Sequence, residues 1–204
     1  MMKIMIITKS SSAIEWETFE PSGLIGFHDD WYNTPLSHKI WFSLDMDDSH
    51  LWFTAIHEKK PNTHPEARAG AFTPELWKYD VVELFITNAA RDQYIELNLA
   101  ANGAWWSAEF SKPRQLAGRR DLPFPGIQTF HEYLPDTGWA VSMRIPLAEL
   151  EGTLGFSEKS SAIVSCITNS PQQQFQCTGC LLGEHPDFHQ PEYFDQLMIV
   201  PSPY

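Results

Sequence analysis

Positive charge is scarce in this chain. Its 204 residues include 14 Lys and Arg against 26 Asp and Glu, a formal net charge of −12. Nucleic acids and anionic membranes reward basic patches, so neither is expected as a partner. Charge of either sign is modest, at 20%, beside 43% apolar residues. That balance excludes a disordered acidic chain and implies a sizeable core. Cysteine is nearly absent: Cys166, Cys177 and Cys180 are an odd count that describes no disulfide framework. No window approaches the ~20 apolar residues that span a membrane. Residues 1–8 are too short an apolar run for a signal peptide, so a cytoplasmic protein is expected. Internal repeats, low-complexity tracts and clear linkers are missing, which points to one domain over residues 1–204. Gly-x-Ser-x-Gly, a P-loop and His-Glu-x-x-His are missing too. Helical signal is thin, limited to one short turn over residues 146–150 with Pro146 at its start.

Strand signal and aromatic side chains are plentiful. Period-two alternation marks strands at residues 40–45, 51–58, 81–86, 94–100, 104–110 and 139–145. Further strands are expected at 127–133, 162–168 and 197–200. Many short strands with Gly- and Pro-rich connections predict an all-β, two-sheet antiparallel β-sandwich. Eight Trp and thirteen Phe are many; aromatics serve cores first, but flat rings also stack on sugars and bases.

The stretch from Leu76 to Phe110 is the most informative. Three strands joined by the turns 88–92 and 101–103 read as a meander. One face carries Val82, Leu84, Ile86, Ile95, Leu97, Leu99, Trp106, Ala108 and Phe110. The other collects Glu83, Phe85, Tyr94, Glu96, Asn98, Trp105, Ser107 and Glu109. A slip of one residue swaps every side chain to the opposite face, so the second list depends on register. A pyranose offers an apolar C–H face and a rim of hydroxyls. Trp77 or Trp105 would stack on the former, while Glu83, Glu96, Asn98 and Arg144 would bond the latter. Arg68, in the loop 61–74 before Trp77, is a further candidate, since loops of sandwiches carry binding residues.

The order of landmarks resembles the family 9 carbohydrate-binding modules and the wider DOMON-like β-sandwiches. The matching pieces are Asp47-Asp48-Ser49-His50-Leu51-Trp52, Trp77-x-x-Asp80-x-x-Glu83, Tyr94-Ile95-Glu96-Leu97-Asn98, Asn102-Gly103-Ala104-Trp105-Trp106, the segment 139–146 and Asp187-Phe188-His189-Gln190-Pro191-Glu192-Tyr193-Phe194. The resemblance spans roughly residues 31–200. It implies an immunoglobulin- or jelly-roll-like sandwich that clamps a sugar between two rings. Trp77 resembles the first ring and Glu83 an acid beneath it. The second ring is expected in the loop 169–176, where Phe175 is the aromatic present. A non-catalytic carbohydrate-binding module, related to those attached to glycosidases, is the leading expectation.

Other chemistries compete. Cys177-x-x-Cys180 with His185-x-x-x-His189 has zinc-ligand types, although the gap between the pairs is short for a finger. Asp45, Asp47 and Asp48 gather acids near a turn without the Gly and Glu of an EF-hand, and relatives of this type bind structural calcium. Met143 and His131 are the residue types of haem ligands in DOMON-like relatives. Glu83 and Glu96 would suit a glycosidase carboxylate pair only if burial raised one of them. An aromatic interaction surface, with homodimer formation, is the third class.

Overall fold

The computed structural model describes residues 4–118, 123–135, 138–169 and 172–203. Its strands are β1 (Ile4–Lys9), β2 (Ile25–Gly26), β3 (Ile40–Met46), β4 (His50–His57), β5 (Val81–Thr87), β6 (Tyr94–Ala100), β7 (Trp105–Lys112), β8 (Gln115–Leu116), β9 (Gln128–Tyr133), β10 (Trp139–Pro146), β11 (Ser161–Asn169), β12 (Gln173–Cys177) and β13 (Asp195–Pro201). One helix, α1 (Leu147–Leu154), follows β10. Hydrogen bonding runs in the order β8-β7-β6-β5-β11-β13-β1-β3-β4-β10-β9, with β12 added to β11 and β2 to β3. The sheet curls on itself into a two-layer sandwich. β8, β7, β6, β5, β11 and β12 make one layer. β1, β3, β4, β10 and β9 make the other, and β13 joins them through two residue pairs with β11.

Alternation puts one side of each layer into the space between them. Val82, Leu84 and Ile86 of β5 and Ile95, Leu97 and Leu99 of β6 meet Phe42, Leu44, Phe53, Val141, Met143 and Ile145 in one cluster. All twelve are at most 3% exposed, so the central strands carry the main hydrophobic stabilisation. Asn88 Nδ2 donates to Asp92 Oδ1 at 2.7 Å, closing the β5–β6 turn. In the β6–β7 turn Gly103 takes φ +78°, a conformation that glycine reaches without strain.

Several expectations need revision. The short turn expected at 146–150 continues as α1 to Leu154, because Leu147, Leu150 and Leu154 form a buried stripe. Gly155 ends it in the left-handed region. β1, not anticipated from its short apolar run, pairs in parallel with β13 and with the end of β3, so the antiparallel sandwich contains two parallel ladders.

The largest revision concerns parity in β7. Ala100 N donates to Ala104 O across the turn, which places Asn98 opposite Trp106 and Leu97 opposite Ser107. Trp106, Ala108 and Phe110 therefore share a side with Glu83, Glu96 and Asn98. Trp105 and Ser107 face the interior, and Glu109 joins their parity. Apolarity misassigned this strand because both of its sides pack against protein.

Candidate functional site: the acid and amide floor of the outer sheet face

The layer built on β5 and β6 is covered on its outer side as well. A second apolar cluster lies there, formed by Leu76, Val81, Phe85, Tyr94, Phe110, Ile163, Phe188 and Phe194 among others. Trp31 helps to hold the cover down: its Nε1 donates to Gly183 O at 3.3 Å, and its ring meets Phe188 edge-on at 5.9 Å. Within this cover a polar floor is enclosed. Register aligns Ser165 of β11, Glu83 of β5, Asn98 of β6 and Trp106 of β7 across four strands. The next row aligns Ile163, Phe85, Glu96 and Ala108.

Each polar group of the floor has a defined contact. Ser165 Oγ donates to Glu83 Oε2 at 2.8 Å. Asn98 Nδ2 donates to Glu96 Oε1 at 3.0 Å, while Asn98 Oδ1 is buried without a partner. Tyr94 Oη accepts the Arg114 amide N–H at 3.1 Å, and its oxygen lies 2.7 Å from His189 Nδ1. With that hydroxyl donating, His189 carries its proton on Nε2, which faces Glu96 Oε2 at 3.7 Å. Glu83 is 3% exposed and Glu96 6%. Burial, reinforced by the neighbouring Glu96 carboxylate, pushes Glu83 up to about 8. Burial likewise raises Glu96 to about 7. Burial lowers His189 to about 4, so at neutral pH it is an uncharged imidazole. Burial also raises Tyr94 to about 12. Burial therefore biases both carboxyls toward their protonated forms in a poorly solvated floor.

The Trp77-x-x-Asp80-x-x-Glu83 motif divides into three roles. Leu76 is fully buried in the outer cluster and the turn Leu76–Lys78 packs on β6. That anchor leaves Trp77 48% exposed at the margin of the face, with Lys78 Nζ 5.4 Å from its ring centroid. Asp80 is structural: its carboxylate accepts the amides of Asn62 at 2.8 Å and Asn169 at 2.6 Å, tying the loop before Trp77 to the end of β11. Glu83 then enters the floor.

Glu83, Glu96 and Asn98 lie on one side of β5 and β6, with Trp77 in the exposed turn before β5. Trp105 is not part of the face; it is 7% exposed, packs on Phe72 at 5.1 Å and donates to Gly70 O. Arg144 lies on the other layer, 5.7 Å over the Trp52 ring and donating to Gln128 Oε1, so it cannot complete this pocket. Arg68 donates to Pro65 O and Ala67 O of its own loop. Phe175 belongs to β12, not to a free loop, and packs 6.4 Å from Phe188 on the outer cluster. Ser170 and Pro171 of the expected second-clamp loop lie outside the described residues.

The residues of the competing ligand sets make other contacts. Among the described residues no group of three or more His, Cys, Asp or Glu stands in metal-holding geometry, so Cys177, Cys180, His185 and His189 are not assembled as a zinc site. His189 instead closes the floor. The turn acids bind backbone: Asp47 accepts from Ile14, Ser49 and His50, and Asp48 pairs with Lys9. Burial pushes Asp47 up, but these donors outweigh it and hold the carboxyl below its ordinary value. Met143 is fully enclosed between the layers, where it fills space among apolar neighbours.

Sequence reading missed Ser165, Trp106 and the role of His189. Only the match over residues 187–194 hinted at the last.

The geometry places the chain in the fold class of the family 9 carbohydrate-binding modules. A Bacteroides uniformis protein to which carbohydrate binding is ascribed superposes with a TM-score of 0.73 at 13% identity, over 98% of this chain and all of that one. A family 9 module from Caldicellulosiruptor kristjanssonii, solved in complex with glucose, gives a TM-score of 0.65 at 15% identity, covering 98% of this chain and 96% of the module. A further structure in complex with cellotriose gives 0.61 at 14%, covering 97% and 93%. By sequence the chain is similar to the UPF0462 protein C4orf33 homolog of Danio rerio, 24% identical over 179 residues, 83% of this chain and 85% of that protein. The human UPF0462 protein C4orf33 is 27% identical over 174 residues, 80% and 82% of the two chains. No family model matches the chain.

Proposed function

We propose that this protein is a non-catalytic carbohydrate-binding protein and that its ligand engages the outer face of the β5–β6 layer. The supporting observation is the conjunction of Glu83, Asn98, Glu96 and Ser165 in one floor with the exposed Trp77 at its margin. Solved structures of the same fold hold glucose and cellotriose. Trp77 stacks on the C–H face of the sugar. Glu83 and Asn98 take its hydroxyls, with the unpartnered Asn98 Oδ1 as a ready acceptor, and Glu96 completes the set. Trp106 replaces Trp105 as the floor aromatic, and Arg144 has no part. Because Phe188 and His189 cover the carboxyls, binding requires the segment 181–190 to lift.

The test is a titration of intrinsic Trp fluorescence with mono- and disaccharides. Saturable quenching that disappears in Trp77→Ala supports the reading. A flat response to every sugar up to about 50 mM, a range covering weak millimolar binding, ends it. A second reading has its own support. The raised Glu83 and Glu96 match the environment of a glycosidase acid. Release of nitrophenol from aryl glycosides, abolished by Glu83→Gln, would favour that reading over simple binding.

A further inference from the structure

The segment 181–190 springs from a turn that carries two thiols. Cys177 ends β12 and is half-buried, while Cys180 is exposed. Hydrogen bonds fix the backbone between them. Thr178 N donates to Val164 O at 3.0 Å, and Thr178 Oγ1 accepts the Val164 amide at 3.1 Å. Gly179 lies against β11, where a Cβ would meet Ile163 Cγ2 at 3.0 Å. Leu181, one residue beyond Cys180, packs on the outer apolar cluster. Within this turn the Cys177 sulfur leans toward Cys180, with Sγ 3.6 Å from Gly179 O. A trans peptide keeps that oxygen about 2.8 Å from Cys180 Cα, so the sulfur lies within roughly 6.5 Å of that carbon. Side-chain rotation at the two cysteines closes a gap of this size. The third thiol, Cys166, is fully buried, and burial pushes it well above its ordinary value, so it does not compete.

We infer that Cys177 and Cys180 form a reversible thiol–disulfide pair whose bond ties the root of the cover to the end of β12, with glutathione disulfide or a similar small disulfide as oxidant. The exposed Cys180 thiolate attacks one sulfur of that oxidant. A mixed Cys180–glutathione bond forms, the oxidant's S–S bond breaks, and one glutathione thiolate leaves. Cys177 Sγ then attacks Cys180 Sγ, and the second glutathione thiolate leaves. The protein gives up two electrons and two thiol protons, and both end on the pair of glutathione thiols. Excess reduced glutathione drives the same steps backward. Neither cysteine belongs to the polar floor, so the pair is independent of the carbohydrate reading.

The experiment is incubation of the full chain with glutathione disulfide at about pH 8, where thiolates are populated. Alkylation, intact mass and peptide mapping read the result. Wild type should lose two hydrogens, with the new bond mapped to Cys177 and Cys180 and with Cys166 alkylated only after unfolding. Excess reduced glutathione should restore the original mass. Cys177→Ser should stop at a glutathione adduct on Cys180, and Cys180→Ser should react at least about tenfold more slowly. The Leu182 amide donates to Gln190 Oε1 at 2.9 Å within the cover. Its hydrogen exchange should slow at least about threefold in the oxidised protein. Wild type that stays reduced, stops at a glutathione adduct or bridges through Cys166 overturns the inference. So does unchanged Leu182 exchange, since the bond would then have no hold on the cover.

Discussion

Replacing Glu83 with Gln should make the protein's stability nearly independent of pH on the alkaline side. In the folded state Glu83 lies near 8 and Glu96 near 7, against an ordinary value of 4.5 for each. The native state therefore holds protons that the unfolded chain has released. Stability from these groups is complete below about pH 4.5 and is lost as pH rises through the folded values. His57 and His189, both lowered to about 4 by burial, act in the opposite sense, but only below their unfolded value near 6.5. Above about pH 7 the carboxyl pair is left. Linkage for a group near 8 gives a loss of about 1–2 kcal/mol between pH 7 and 9. Glu83→Gln removes that group, and Glu96, near 7, has released most of its proton by pH 8, so the loss should fall below about 0.5 kcal/mol. Gln retains an acceptor for Ser165, so near pH 5 the two proteins should agree within about 1 kcal/mol. Denaturant midpoints at pH 5, 7 and 9 measure this directly. Groups elsewhere that titrate in the range contribute equally to both proteins and cancel. An identical alkaline loss in Glu83→Gln and wild type would refute a buried, proton-holding Glu83.

The two tryptophans first considered for stacking on a sugar should separate cleanly. Trp105→Ala should cost about 3–5 kcal/mol in chemical denaturation, as a packed ring does, whereas Trp77→Ala should cost under about 1 kcal/mol, as exposed substitutions do. Gly126 takes φ +73° and a Cβ there would meet Pro146 Cγ at 2.7 Å, so Gly126→Ala should lower the melting temperature through a loss of about 1–3 kcal/mol. Asp80→Asn keeps the shape but weakens two charge-assisted bonds to Asn62 and Asn169; faster amide exchange at those two positions, with about 1–3 kcal/mol lost, is expected.

Much of the fold is legible in the residues because alternation is strong where one side is apolar. β6 is bounded by its own turn chemistry, Asn88–Asp92 before it and Gly103 after it, and its observed span equals the expected one. β7 defeated the same logic. Trp105 and Trp106 are adjacent aromatics, and both sides of the strand are buried, so hydrophobicity carried no parity signal. The turn bond from Ala100 to Ala104 decides it, and that bond depends on loop geometry. Arg144 alternates with the buried Met143 and Ile145 of β10, but nothing local says which layer β10 joins. Burial of Glu83 and Glu96 was equally invisible. It comes from Trp31, Phe188 and His189, residues far away in sequence whose docking is a property of the whole molecule. His189 shows how tertiary placement changes chemistry: beside two cysteines in sequence it suggests zinc, yet in space it bridges Tyr94 and Glu96.

A glycan array probed with wild type and Trp77→Ala tests the carbohydrate reading most directly, once both proteins are shown to melt alike. Wild type should retain a restricted set of sugars and the variant should lose all of them. Retention of the same sugars by Trp77→Ala, or no retention by wild type, would contradict the assignment of the β5–β6 outer face as the binding surface.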